Sequence, residues 1–336
     1  MGETELAAVQ GQGLGLVFED FTFSHGDDPS KGHVFKIGGI KSTQGEDVDI
    51  TVSQLYISRG SVGASKTGDN TYNFGVDSNY GENLNPVNLG RLNNPYAIDL
   101  LDGNTIGIAD KAVLQFAAPT KVPFSEGYDC LNPAASAGSG TCSSRPGNAD
   151  FQGERFDAGL KLGVKVGAKA SHNLNINAKS AVIDGSYLRL WADDDLGQPG
   201  KTQLVAEYKL NFYTPELTIS SCAADGQGCG STIYMRNFEL ELALGNSLQP
   251  MYLDVNGSGN FVFEVKNIRD SITGTISADG KSGTAHNEFL NYYTNPDFRS
   301  NLRIGELSVS GQNFGSAKIE GMLIQYLKIE SHDLGN

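Results

Sequence analysis

An all-β, antiparallel fold, sandwich-like or elongated and carrying long irregular loops, is what this sequence predicts, and three observations predict it. Apolar residues recur at every second position in many short segments, the signature of half-buried strands. Residues that tolerate positive φ separate those segments, as hairpin connections require. The composition, 42 Gly against 11 Pro with 39% hydrophobic and 19% charged residues, is that of a folded chain with many turns rather than a disordered one.

In chain order, Leu14 to Phe23 reads as a first strand whose phase changes at Glu19-Asp20, as a bulge would produce. Further strands are expected over Ile50 to Ile57, Leu160 to Val166, Leu174 to Ile183, Leu188 to Trp191, Leu204 to Phe212 and Leu217 to Ile219. The series continues through Phe238 to Leu244, Leu253 to Val255, Phe261 to Val265, Leu302 to Val309 and Ile319 to Ile329. Asp184-Gly185, Asn256-Gly257, Gly274 and Asp279-Gly280 supply turns. Read this way, the chain is β from end to end. Two stretches interrupt it: residues 61–94, rich in Asn, Gly, Asp and Tyr, and residues 121–155. The second divides an N-terminal β region (1–120) from a C-terminal one (156–336), and a single large decorated domain gives the same pattern.

The four cysteines form two local pairs, Cys130 with Cys142 and Cys222 with Cys229, each spanning a segment rich in Gly, Ala and Ser. Two loop-stapling disulfides are expected, and these persist only in oxidising compartments. A zinc site is the competing reading, but paired C-x-x-C knuckles are missing and the five histidines lie far from the cysteines in sequence. Localisation is therefore expected to be extracellular, cell-surface or periplasmic, with Met1-Gly2 a start added to a mature chain after removal of a leader. No run approaches the roughly 18 apolar residues of a membrane-spanning helix. An outer-membrane β-barrel shares the two-residue period but demands a continuous apolar band and aromatic girdles, and the uneven alternation disfavours it. The net charge of −14 opposes binding to nucleic acid and to anionic bilayers.

No nucleophile elbow, H-E-x-x-H pair or phosphate-binding loop occurs, so no catalytic residue is assigned and the chain is not expected to be an enzyme. Glu239 and Glu241 share one side of a strand and are read as a solvated face rather than as a glycosidase pair. The densest acidic cluster, Asp193-Asp194-Asp195, is read as an exposed turn, with Ca²⁺ as the minority alternative to having no cofactor. Tyr72, Phe74, Tyr80, Tyr208, Phe212, Tyr213, Phe289, Tyr292 and Tyr293 are read as core or cross-strand partners ahead of sugar-stacking platforms.

Glu3-Thr4-Glu5-Leu6-Ala7-Ala8-Val9-Gln10-Gly11-Gln12-Gly13 resembles the short E-L-x-x-V-x-G-Q segment that opens the mature chains of exported gammaproteobacterial proteins, Fil-type pilus-associated proteins among them. The likeness covers about a dozen residues and carries over no functional residue. It implies a cell-surface or filament-associated β protein. The expected function is that of a non-catalytic exported surface protein, structural or filament-associated; the alternative is a glycan- or apolar-ligand-binding module of the cell envelope. Expected partners are further copies of the chain or other envelope and filament proteins. Leu14, Leu16, Phe18, Phe21 and Phe23 are the candidate assembly residues, on an edge or exchanged strand that adds backbone hydrogen bonds to another molecule. The bland alternative is that they form an ordinary first strand within their own sheet.

Overall fold

The computed structural model describes residues 13–25, 34–58, 86–92, 94–120, 156–169, 172–193, 202–222, 230–272 and 274–331. Its centre is a strand of 20 residues, β12 (Gln203–Cys222), in which two stretches expected to be separate strands run on through Pro215. Proline lacks an N–H and breaks a ladder when it sits inside a sheet. Here the break serves as a branch point, because one edge of β12 changes neighbour at Pro215 while β13 pairs along the other edge on both sides of it.

Before Pro215, one edge of β12 pairs with β11 (Tyr187–Asp193), and the path continues through β8 (Ala112–Ala117) and β7 (Tyr96–Asp102) to β1 (Leu14–Leu16). After Pro215, the same edge pairs with β10 (His172–Ala181), then β9 (Phe156–Val166), then β5 (Asp47–Ser58), on whose far side lie β3 (Phe23–His25) and β4 (Phe35–Lys41). The opposite edge of β12 pairs with β14 (Met251–Val255), which leads to β15 (Phe261–Val265) and β18 (Leu327–Glu330), and with β13 (Thr232–Leu244), which leads to β16 (Ser300–Val309) and β17 (Gln312–Met322). All pairings are antiparallel, and they join 16 strands in one sheet. The all-β, antiparallel class is as the alternation foretold. The pairs β5–β9 and β8–β11 tie strands of residues 13–120 to strands of residues 156–331.

A line of irregularities crosses the sheet beside Pro215. Gln54 of β5 has φ 49° and lies in a register shift between Ser53 and Tyr56; the β9–β10 register shifts between Ala178 and Ala181. Asn237 of β13, at φ 51°, sits across from Pro215, and the β16–β17 register shifts between Ile304 and Leu307. An added residue in a strand reverses the facing of everything after it. On β12 Leu204, Ala206, Tyr208, Leu210 and Phe212 are even-numbered and Leu217 and Ile219 odd-numbered, yet these stay on one face of the sheet, while Val205 lies on the other. We call this line the crease and the two parts it separates leaves.

Beside the sheet lies a two-stranded ribbon of β2 (Phe18–Phe21) and β6 (Val87–Leu89). The expected phase change is present: Asp20 has φ 51° and the β2–β6 register shifts between Phe18 and Phe21. The segment is not one strand, however, since its pieces form β1, β2 and β3 with three different partners within the chain.

The expectation of β structure from end to end fails between β15 and β16, which encloses helices α1 (Ile268–Ser271) and α2 (Thr284–Thr294). Ala285, Phe289 and Tyr292 recur at helical spacing and turn towards Ile268, Ile272, Leu248, Phe298 and Leu323, so the local period is that of a helix. Asp279-Gly280 turns a loop that leads into α2, not a hairpin of strands. Likewise, the segment expected as one strand from Ile319 to Ile329 divides into β17 and β18, which pair with different strands.

Candidate interaction face

Residues directly opposite each other in an antiparallel ladder share a face, so the register assigns each side of this sheet. One row crosses the first leaf as Leu14, Ile98, Phe116, Leu188, Tyr208 and Leu244. The next runs through Leu100, Leu114, Leu190, Ala206, Met251, Val265 and Leu327. A third holds Ala192, Leu204, Leu253, Phe263 and Ile329. On the second leaf, Phe35, Val52, Leu162 and Leu174 stand in line, and nearer the crease Phe23, Ile57, Ala158, Ala178, Leu217, Met235 and Leu307 do the same. None of these five rows holds a charged residue.

The other side is more thoroughly covered and mostly polar, apart from a buried apolar cluster of Val113, Trp191, Val205 and Tyr252 on the first leaf. Asn173, Asn175 and Asn177 alternate along β10, all buried, opposite Cys222, Ser220 and Thr218 of β12. Two glycines of β9 make room for them. A Cβ at Gly159 would stand 2.5 Å from Asn177 Oδ1 and 2.7 Å from both Ile176 O and Tyr56 Cε1, so its absence lets the Tyr56 hydroxyl cross over and donate to Asn177 Oδ1 at 3.0 Å. At Gly163 a Cβ would come within 2.5 Å of Thr51 Oγ1.

On the first leaf the polar side is ionic. Glu207 accepts from Tyr187 at 2.8 Å and from Arg189 Nη1 at 3.1 Å, while Arg189 Nε donates to Gln115 Oε1 at 2.8 Å. Glu241 accepts from Tyr213 at 3.0 Å and from Asn301 at 2.7 Å, and Arg303 bonds Glu239 and Glu320. Burial pushes the Tyr213 and Tyr187 hydroxyls well above their ordinary values, with the neighbouring carboxylates Glu241 and Glu207 adding to it. Desolvation and then Asp184 raise Tyr96 to about 12. Glu239 and Glu241 are therefore not the solvated pair expected from alternation: they lie half-buried in a hydrogen-bonded network, because the strand face opposite Leu240 turns onto other polar side chains rather than to water.

At several positions the burial order is the reverse of that in a closed sandwich. Leu100 is 66% exposed, Phe35 58% and Leu174 38%, whereas Asn175 on the polar side of the same strand as Leu174 is 4% exposed. An exposed contiguous apolar surface is the usual mark of an interaction site. Two regions are exceptions: along the crease Phe21, Val87 and Leu89 of the ribbon pack against Phe156, Ala158, Ala178 and Leu217, and at the centre of the first leaf Ala206, Met251 and Val265 are buried among Leu188, Leu190, Tyr208, Leu253 and Phe263.

The residues singled out in the sequence are distributed as follows. Leu14 and Leu16 lie in β1, at one end of the strand path, while Phe18 and Phe21 belong to the ribbon and Phe23 to β3; Leu14, Phe18 and Phe23 are exposed. Asp193 is not part of an exposed turn: it ends β11 half-buried, with Lys111 Nζ 3.6 Å away. Strand pairing with Gln203 carries the sheet as far as this residue. Asp194, Asp195, Cys130, Cys142, Cys229, Tyr72, Phe74 and Tyr80 lie outside the described residues. Cys222 ends β12, and its sulfur accepts from Asn175 Nδ2 at 2.9 Å. Tyr208 and Phe212 belong to the apolar side and Tyr213 to the polar one. Tyr292 is buried in the helical cluster, edge-on to Tyr293.

No group of three His, Cys, Asp or Glu side chains among the described residues converges to hold a metal ion. A cleft of about 430 Å³ opens between Tyr252, Asp254, Glu264, Lys266 and Lys328, with Lys266 Nζ 4.1 Å above the Tyr252 ring. It offers charges of both signs and no paired nucleophile and base. No helix of the described residues is long and apolar enough to cross a membrane.

Comparison with known proteins gives no relative: no family model matches the chain, and neither a curated protein nor a solved structure matches it.

Proposed function

We propose that this chain is a non-catalytic exported surface protein, structural or filament-associated, that acts by packing and strand pairing. The observation carrying this reading is the set of uncharged rows that makes one side of the sheet apolar and leaves it open outside the ribbon and the buried cluster of Ala206, Met251 and Val265. A chain that exposes such a surface is made to be covered.

The sheet edges agree with an assembly role. Edge strands are commonly guarded by charge or bulges. β4 carries Lys36 and Lys41, β17 carries Lys318 and Glu320, and β18 carries Lys328 and Glu330. β1 is Leu14-Gly15-Leu16 without a charge, and it keeps Leu14 and Leu16 as candidate residues for adding a strand from another molecule. Exposure to an oxidising compartment rests on the cysteines. The Gly230 N–H donates to Ser221 O at 2.8 Å, so the chain returns beside Cys222 immediately after Cys229, which supports that pair as a loop staple.

Fractionation of cells followed by negative-stain microscopy of the native protein is the test. Recovery from the envelope or medium, as ordered assemblies with oxidised cysteines, is expected. A cytosolic chain with four free thiols would overturn the proposal. The second reading, an apolar-ligand-binding module, is favoured by the same face and is distinguished by extracting lipid from the native protein.

A further inference from the structure

We infer that the apolar side of the first leaf is the contact through which two copies of this chain associate, sheet against sheet, about a two-fold axis. The inference rests on the proposed function and names the partner for its principal surface.

The extent of the surface comes first. Leu14, Leu100, Leu114, Phe116, Leu204 and Phe261 stand on this side of the leaf and are between 36% and 66% exposed. With roughly 150 Å² for each fully open side chain, they present on the order of 450 Å² of apolar surface. Ile329, 56% exposed, and the half-buried members of the same rows raise this towards the roughly 800 Å² per partner of a standard stable interface, while the buried Ala206, Met251 and Val265 add nothing. A small ligand covers far less, and ligand sites are concave. The open rows instead run across neighbouring strands of one sheet.

Charge and geometry then select the occupant. The first three rows contain no charged residue, so this side gives a distinct protein no charge pattern to recognise, whereas an apolar sheet face complements itself. Two such sheets pack about 10 Å apart with their side chains interdigitated, the usual way a one-sided antiparallel sheet is buried. A lipid bilayer fits less well. The net charge of −14 is repelled by anionic headgroups, and a sheet whose strand order ends at separate edges does not satisfy its backbone in hydrocarbon.

The experiment is sedimentation equilibrium of the full chain beside the double variant Leu100→Asp/Leu204→Asp and the polar-side control Lys328→Ala. The wild type and the control are expected to dimerise alike, without weakening at high salt, and the double variant to raise the dimer Kd at least tenfold. Thermal melts check the fold. If the aspartates lower the melting temperature, Leu100→Thr/Leu204→Thr, uncharged and β-branched, replaces them with the same expectation. A wild type that stays monomeric on the order of 100 µM, or variants that dimerise as well as it does, would overturn the inference. Should the monomeric protein float with neutral phosphatidylcholine vesicles, lipid is the occupant: the second copy is then rejected while the non-catalytic surface reading stands. Catalytic turnover by the purified chain would defeat that underlying reading instead.

Discussion

On strands β9 and β10, Ala158 faces Ala178, and four residues away on the same side Leu162 faces Leu174. The first pair lies under the β2–β6 ribbon, with Ala178 at 7% exposure; the second includes Leu174 at 38%. The smaller side chains are thus the covered ones and the larger are open. Small residues beside the crease let Phe21, Val87 and Leu89 approach the sheet, whereas among the described residues no such element packs over Leu174. One ladder therefore carries both an intramolecular core and a surface suited to an external partner, and mutations in the two places should behave differently.

The largest expected contrast is between Phe156→Ala and Leu174→Ala. Phe156 is buried in the crease cluster, and its truncation should cost about 3 to 5 kcal/mol in denaturant unfolding. Leu174→Ala should cost about 1 to 2 kcal/mol, because more than a third of its surface already stays in water in the single chain. Equal losses would mean that both places are core.

Next in size is Gly159→Ala. The added methyl meets Ile176 O and the Tyr56–Asn177 bridge, so breaking that buried hydrogen bond should cost roughly 1 to 3 kcal/mol. A variant as stable as the parent would show that the tyrosine crosses elsewhere.

Alkali tests the polar side of the first leaf. Tyr187 and Tyr213 have folded values raised above the ordinary tyrosine value by burial, with Glu207 and Glu241 adding to the shift. Groups raised in this sense contribute stability that is complete below about pH 10, the unfolded value. That contribution is lost as pH rises through the folded values. Ultraviolet titration should accordingly find these phenols silent near pH 10 and ionising together with unfolding at higher pH, while normal ionisation in a folded chain would contradict the network.

The smallest effect is a gain. Asn237 holds φ 51° on the crease, where glycine bears no Cβ penalty, so Asn237→Gly should stabilise the chain by about 0.5 to 1 kcal/mol in the same unfolding assay. The same exchange at Leu242, in the regular part of β13, should be destabilising.

Much of the secondary structure was legible in the sequence. The alternation from Leu160 to Val166 and from Phe238 to Leu244 places strands where they are found, and Glu19-Asp20 marks the bulge of β2. Asp184-Gly185 likewise turns the chain between β10 and β11, with Gly185 at φ 77°. Alternation identifies two sides of a strand but not which is covered, and so it could not reveal that Asn175 is buried while Leu174 is open. Pro215 reads as a strand end because the proline signal is local, whereas the ladder is carried past it by pairing with β13 on both sides. The spacing of Ala285, Phe289 and Tyr292 did hold the signal for α2, but neighbouring aromatics that suit strands concealed it.

The position of β12 also bears on the order of folding. It begins at residue 203, yet it is flanked by β11 and β10 on one edge and by β14 and β13 on the other. Strands as early as β5 and β8 reach it only through intermediates that are themselves distant in the chain. Non-local pairing of this kind is slow, because loop closure precedes its reward. During synthesis the two groups of earlier strands, one holding β7, β8 and β11 and the other β5, β9 and β10, consequently keep open edges until β12 emerges to join them.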